Sequence, residues 1–247
     1  MNTELQNYSP APDLLHDRVI LVTGAGDGIG ATAARRFASH GATVVLVGRT
    51  QAKLEAVYDA IEAEGGKKPA IFVMDFAKAQ GDDYQNLFDG LDKEFGKLDG
   101  LLHNAGILGN RSPIEHYDIP TWLETIHVNL NAPFILTQTL LPLLRKSADP
   151  AVVFTSSGVG RKGRAYWGAY AASKFATEGL AQTLADECDN IRVNCINPGP
   201  IRTAMRKLAY PGEDPSTLKT PADIMQPYLY LIGPDSKGTT AASLDCQ

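Results

Sequence analysis

The stretch that most narrows the possible folds is a strand running straight into a glycine turn. RVILVT, residues 18–23, is followed by Gly24-Ala-Gly-Asp-Gly28-Ile-Gly30 and a helical segment reaching about His40. A continuous apolar run without alternation is the pattern of a parallel strand covered on both faces. Parallel strands are joined by crossovers, usually helical, so the rest of the chain should alternate strand and helix. Glycine permits the tight turn and lets backbone N–H groups and the helix N-terminus come close to a pyrophosphate.

The alternation continues. ATVVLVG (42–48), PAIFVMD (69–75), Gly100 to His103, Ala151 to Ser156 and Ile191 to Ile196 read as further strands. Helical segments are expected from Gln51 to about Gly65, Gln80 to Phe95, Pro120 to Arg145, around Tyr170, and from Asp223 to Ile232. Such a pattern predicts an α/β fold, a doubly wound parallel sheet with helices on both faces. A last strand is hinted at by Ser243 to Asp245. The expected organisation is a single domain over 18–247, preceded by an N-terminal extension, 1–17. That extension is polar and holds Pro10 and Pro12, so it reads as an extended arm whose Leu14 and Leu15 can dock on the domain. Residues 201–220 show no clean period and contain Pro211 and Pro215, as a lid or binding loop would.

Composition excludes several classes. A net charge of −5 without a run of Lys and Arg leaves no surface for a phosphate backbone, so nucleic acid is not an expected partner. The apolar stretch from Phe134 to Leu144 is broken by Pro142 and is too short to cross a bilayer. No basic region followed by an apolar run marks a secretory leader, and Cys188, Cys195 and Cys246 lack ligand or disulfide spacing, which together predict a cytoplasmic protein. No metal site is expected, and His103 and His127 should pack rather than ligate.

The second constellation lies between Ser156 and Lys174, SSGVGRKGRAYWGAYAASK. Tyr170 and Lys174 are four apart, so on a helix they share a face, about 40° from each other. An ammonium beside a phenol favours phenolate, lowers its pKa and makes it a usable proton donor and acceptor. Ser157 adds a hydroxyl from the strand end for the same substrate oxygen. The set suits proton transfer at a carbonyl or alcohol oxygen while a hydride moves elsewhere.

Other positions point to the hydride carrier. Arg49 and Thr50 come directly after the second strand, where an acid would bind a ribose 2′-hydroxyl and an arginine would accommodate a 2′-phosphate. NADP(H) is therefore expected in preference to NAD(H), with Asp27 in the glycine turn arguing mildly the other way. Asp75 can reach an adenine edge or cap the segment after it. Asn104, Ala105 and Gly106 are small residues at a strand end, where backbone can lie against a ligand. Asn129, in a helix interior, is read either as a satisfied buried amide or as a water-holding group.

These motifs, in this order and spacing, resemble the short-chain dehydrogenase/reductase family: Thr23-Gly-x-x-x-Gly28-x-Gly30, Asn104-Ala-Gly106, Asn129, Ser157, Tyr170-x-x-x-Lys174 and Pro198-Gly199 with Thr203. VGRKGRAYWGAYAASKFATEG and NCINPGPIRTAM look closest to its bacterial YciK-like subgroup. The resemblance implies a Rossmann sheet of order 3-2-1-4-5-6, extended by a seventh strand if the tail forms one. It implies a catalytic tetrad of Asn129, Ser157, Tyr170 and Lys174, with Tyr170 as acid/base, Lys174 lowering its pKa while holding the nicotinamide ribose, and Asn129 anchoring a water. It implies that Gly24, Gly28, Ile29 and Gly30 hold the diphosphate side of the cofactor, Arg49 and Thr50 its 2′-phosphate, and Asp75 and Phe76 its adenine. Asn104 to Gly106 would lie along the riboses, and Pro198, Gly199, Ile201 and Thr203 beside the carboxamide. A small-molecule carbonyl or alcohol substrate is implied too, as is a homodimer or homotetramer paired through the Asn129 and Tyr170 helices. An NADP(H)-binding sensor or scaffold with little turnover is the rival reading. The substrate wall is expected near Leu108, Arg161, Arg164, Trp167 and the 201–220 loop, partly aromatic and tolerant of anions.

Overall fold

The computed structural model describes residue 5 and residues 7–247. The part of the N-terminal extension at 1–4 and 6 lies outside the described residues. Seven parallel strands form one sheet in the order β3-β2-β1-β4-β5-β6-β7. They are β1 (Val19–Thr23), β2 (Thr43–Gly48), β3 (Ala70–Val73), β4 (Gly100–His103), β5 (Ala151–Thr155), β6 (Arg192–Asn197) and β7 (Ser243–Asp245). The expected six-strand order holds, and the tail does supply a seventh strand, with Ile196 opposite Leu244.

All residues of β1, β4 and β5 are buried, because helices cover both faces of the sheet. On one face lie α1 (Gly28–Ser39), α2 (Gln51–Ala63) and α8 (Met225–Ile232), packed with Ile20, Val22, Val44 and Leu46 from the strands. On the other lie α3 (Gly81–Phe95), α5 (Ala132–Leu144) and α6 (Gly168–Glu187), packed on Leu21, Val45, Leu101, Val152 and Val193. Alternate residues of the central strands thus feed two separate cores, which explains why β1, β2 and β5 are apolar along their length rather than at every second residue. At β1 and β4, the sheet order reverses direction, and a crevice opens at the carboxyl ends of the strands.

Three segments differ from the sequence expectation. The stretch before β1 is not extended: residues 12–17 form turns, and Leu15 is fully buried, its N–H bonded to the His40 carbonyl at 2.9 Å. The long helix expected from Pro120 to Arg145 is divided into α4 (Ile119–Ile126) and α5 by a π-helical turn, His127–Asn131. The 201–220 segment contains a short helix, α7 (Ala204–Ala209), started by Thr203, whose hydroxyl accepts from the Arg206 N–H.

Candidate active site

The glycine turn shapes one end of a cleft of about 550 Å³. Gly24 (φ +66°) and Gly28 (φ +53°) adopt left-handed conformations that side chains resist. A Cβ on Gly24 would also stand 3.0 Å from Ala105 Cα, so glycine there lets the β1 and β4 ends approach each other. Thr23 ties the two together, its hydroxyl accepting from the Asn104 and Ala105 N–H groups at 3.0 Å each. Gly30 plays a different part from the one expected. It does not line the cleft, and a Cβ there would fall 2.2 Å from the Gly24 carbonyl oxygen, so it serves close packing of α1 on the turn.

Asp27 caps α1 by accepting from the Gly28 N–H, and its other oxygen meets Lys53 Nζ at 2.6 Å. The Lys53 ammonium holds the Asp27 carboxyl below its ordinary range. Lys53, on α2, is not marked by the sequence. It faces Asp27 only because the fold brings α2 beside the turn, and nothing in its local pattern singles it out. Arg49 and Thr50, at the end of β2, line the same part of the cleft as Lys53. Ile29, Asp75 and Phe76 line it as well, with the Asp75 carboxylate accepting from the Ala77 N–H. Asn104, Ala105 and Gly106 form its floor, and Pro198, Gly199, Ile201 and Thr203 close the far side. Gly199 is again left-handed, at φ +74°.

Tyr170 and Lys174 enter the cleft from α6, and Ser157 from just beyond β5. Both α6 side chains are buried. Burial pushes the Tyr170 phenol up to about 12, against a smaller downward pull from the Ser157 hydroxyl beside it. Burial also draws the Lys174 ammonium down to about 8. Lys174 Nζ donates to the Thr155 carbonyl at 2.7 Å and lies 5.6 Å from the Tyr170 ring centroid. The expected lowering of the phenol pKa by the ammonium is therefore not the dominant effect. Desolvation dominates, with Ser157 the group that opposes it, and the phenol is held protonated.

Asn129 sits in the π turn, behind the cleft rather than on it. Its Oδ1 accepts from the Ile107 N–H at 2.8 Å, and its Nδ2 donates to the Ile107 carbonyl at 2.9 Å and to Ser173 Oγ at 3.0 Å. Of the two readings of this residue, the satisfied buried amide is the one its side chain displays. It pins the backbone just beyond Gly106.

Beyond Tyr170 the wall is apolar and aromatic. Trp167 lies 5.7 Å from the Tyr170 ring and 6.0 Å from that of Tyr210, with Leu108, Met205 and Ala209 packed around them. Leu108 and Trp167 line the cleft as expected, but Arg161 and Arg164 do not. Arg161 is drawn to Asp245 at 2.6 Å, and Arg164 donates to the Tyr210 hydroxyl at 3.2 Å. Arg111, which carries no signal in the sequence, lies 5.0 Å from the Trp167 ring and 4.8 Å from that of Tyr210 and donates to the Ala209 carbonyl, joining the loop after β4 to α7. His103 stacks on Phe154 at 4.6 Å and bonds Thr137, so it packs as expected. Among the described residues no cluster of metal-binding side chains is found, and no helix is long and apolar enough to cross a membrane.

Comparison with known proteins agrees with this arrangement. The chain is 53% identical over 242 residues to the oxidoreductase YciK of Escherichia coli K12, covering 98% of this chain and 96% of that protein. A short chain dehydrogenase structure from Shigella flexneri 2a, complexed with NADP, superposes with a TM-score of 0.94 at 53% identity over 96% of this chain and all of that one (100%). One from E. coli CFT073, complexed with NADPH, gives 0.94 at 54% identity over 96% and 100% of the two chains. The short chain dehydrogenase model matches residues 18–214. With strand order, glycine turn and Tyr170-x-x-x-Lys174 helix in place, this chain belongs to the short-chain dehydrogenase/reductase family of oxidoreductases.

Proposed function

We propose that the protein is an NADP(H)-dependent oxidoreductase that interconverts a carbonyl compound and a secondary alcohol, with Tyr170 as the acid/base. The observation that carries this reading is the convergence of Ser157, Tyr170 and Lys174 in the same cleft as the Gly24–Gly28 turn. The turn suits a pyrophosphate, since its glycines keep side chains away from the backbone N–H groups and the α1 N-terminus lies beside it. Arg49 and Lys53 line the cleft where a 2′-phosphate would lie, and Asp27, paired to Lys53, offers such a group less repulsion than its bare charge would. Complexes of two relatives, one with NADP and one with NADPH, support the same choice.

When bound, NADPH supplies the hydride for the carbonyl carbon. Tyr170 Oη donates its proton to the carbonyl oxygen, and Ser157 Oγ, beside it, can hold that oxygen by a hydrogen bond. Burial keeps the phenol protonated at neutral pH, the state that reduction requires. Lys174, with two N–H groups left after its bond to Thr155, serves the ribose hydroxyls and stabilises the phenolate left behind. Asn129 acts through Ile107, fixing the backbone beside the reacting groups. Trp167, Leu108 and Met205 provide apolar contact for the rest of the substrate.

We also infer a cytoplasmic homo-oligomer, paired through α5 and α6, where Phe134 and Phe175 are half exposed. Following absorbance of NADPH and of NADH against a panel of ketones tests the reading. Turnover of at least one ketone with a preference for NADPH is expected. Tight NADPH binding without turnover of any ketone would favour the sensor.

A further inference from the structure

Glu178 is a buried carboxylate that the proposed reaction does not use. Tyr170, Lys174 and Glu178 are spaced four residues apart on α6, so they share one helix face. Each oxygen of Glu178 has its own serine: Oε1 accepts from Ser156 Oγ and Oε2 from Ser243 Oγ, both at 2.5 Å. Ser156 stands between Thr155, whose carbonyl receives the Lys174 ammonium, and Ser157. Arg161 Nε approaches Glu178 at 3.5 Å, but the same guanidinium is held more closely by Asp245 at 2.6 Å. Glu178, Asp245 and Arg161 thus form one charged cluster at the β5 end, with Lys174 one turn away on the same face of α6.

We propose that Glu178 is a positioning residue of the proton-transfer site: its charge keeps Lys174 an ammonium, and its bond to Ser156 fixes the β5 end that carries Ser157. The proposal rests on the roles given above to Tyr170 and Lys174. It deepens that reading by naming what sustains the lysine's charge in a buried setting, where desolvation removes it.

Of the groups that bear on Lys174, Cys195 and then Glu178 favour its charged form, and of the two only Glu178 is a carboxylate. His103 on β4 is pushed down to about 3 and is neutral. Cys195 on β6 is pushed far above its ordinary value by burial and by Glu178, so its thiol is neutral too. Tyr228 on α8 and Tyr170 on α6 are both raised by burial and uncharged at neutral pH. Burial lowers Lys174 to about 8, and Cys195 and, after it, Glu178 oppose that fall. Asp245, on β7, is engaged by Arg161 and by Asn197 Nδ2 at 2.8 Å.

The test reads the lysine directly. In protein labelled with ¹³Cε-lysine, the Lys174 signal is identified by its loss in Lys174→Arg and titrated by NMR, without substrate. Glu178→Gln should lower its midpoint by more than about half a pH unit, whereas Arg161→Met, which removes the competing cation and leaves the carboxylate, should raise it. Ser156→Ala keeps the charge and should leave the midpoint in place while turnover falls. Superposed curves for Glu178→Gln and Arg161→Met, or shifts of both in one direction, would overturn the proposal. If Glu178→Gln does not fold, the sign of the Arg161→Met shift decides: upward supports, unchanged or downward overturns. Turnover by Tyr170→Phe tests the underlying reaction separately, since it has no bearing on the lysine titration.

Discussion

At the scale of single residues, burial decides the chemistry more than neighbouring charge does. It raises Tyr170 to about 12 and lowers Lys174 to about 8, so between those values the phenol is still an acid while the lysine has begun to lose its charge. Reduction should therefore fall off above about pH 8 through Lys174 rather than through Tyr170. His103 gives a stability effect of known sign. Its native value is depressed from 6.5 to about 3 by burial and by the Lys174 charge, so below 6.5 the unfolded chain binds a proton that the native one does not. Stability is lost as pH falls through that window, by on the order of 1–2 kcal/mol between pH 6.5 and 5. His103→Gln, which keeps a partner for Thr137, should show a shallower loss in urea unfolding over the same range, and an unchanged slope would remove His103 as its source. At the other end of the cleft, Arg49→Asp should swing the kcat/KM ratio from NADPH toward NADH by roughly tenfold or more, the effect of replacing a phosphate partner with a like charge. An unaltered ratio would take Arg49 out of that role and leave it to Lys53.

At the scale of elements, local period made parts of the fold legible in the sequence, and dependence on tertiary contact hid the rest. The strands were readable because RVILVT and ATVVLVG carry unbroken apolar runs, whereas β7, only three residues long, left no more than a hint. The π turn at His127–Asn131 was not, since an i→i+5 bond leaves no mark on hydrophobic spacing. Helix α7 is only six residues, too short for a period, and its flanking prolines read as loop. Lys53, Arg111 and Glu178 owe their importance to residues 26, 98 and 22 positions away, respectively, in sequence. Arg161 shows the opposite failure: its place in a motif-rich loop suggested the substrate wall, while β7, whose formation was only hinted at, draws it to the sheet edge. Trp167 immediately precedes α6 and joins it to the α7 segment through Tyr210, so the wall and the 201–220 segment form one packed unit. Trp167→Ala should change relative kcat/KM values across a ketone panel by severalfold, and identical relative rates would show that the substrate does not touch this wall.

At the scale of the whole molecule, the sheet places the nucleotide half and the reacting half of one cleft on opposite sides of the β1–β4 reversal. Neither half is complete without the other: Thr23 and Asn104 join them at the floor, and Asn129 secures the backbone beyond. Outside the cleft, Phe134 on α5 and Phe175 on α6 are exposed by 47% and 46%. If the proposed homo-oligomer pairs through these helices, charging both, Phe134→Glu with Phe175→Glu, should yield monomers in sedimentation velocity where the unaltered protein sediments as an oligomer, and an unchanged sedimentation coefficient would contradict that pairing. The role of Tyr170 is tested in Tyr170→Phe, which removes one hydroxyl from a buried ring and leaves the packing in place. NADPH-dependent ketone reduction should fall by about 10²–10⁴-fold, while NADPH affinity by fluorescence titration stays within a few-fold. Retained turnover in that variant would contradict the assignment of the proton to Tyr170.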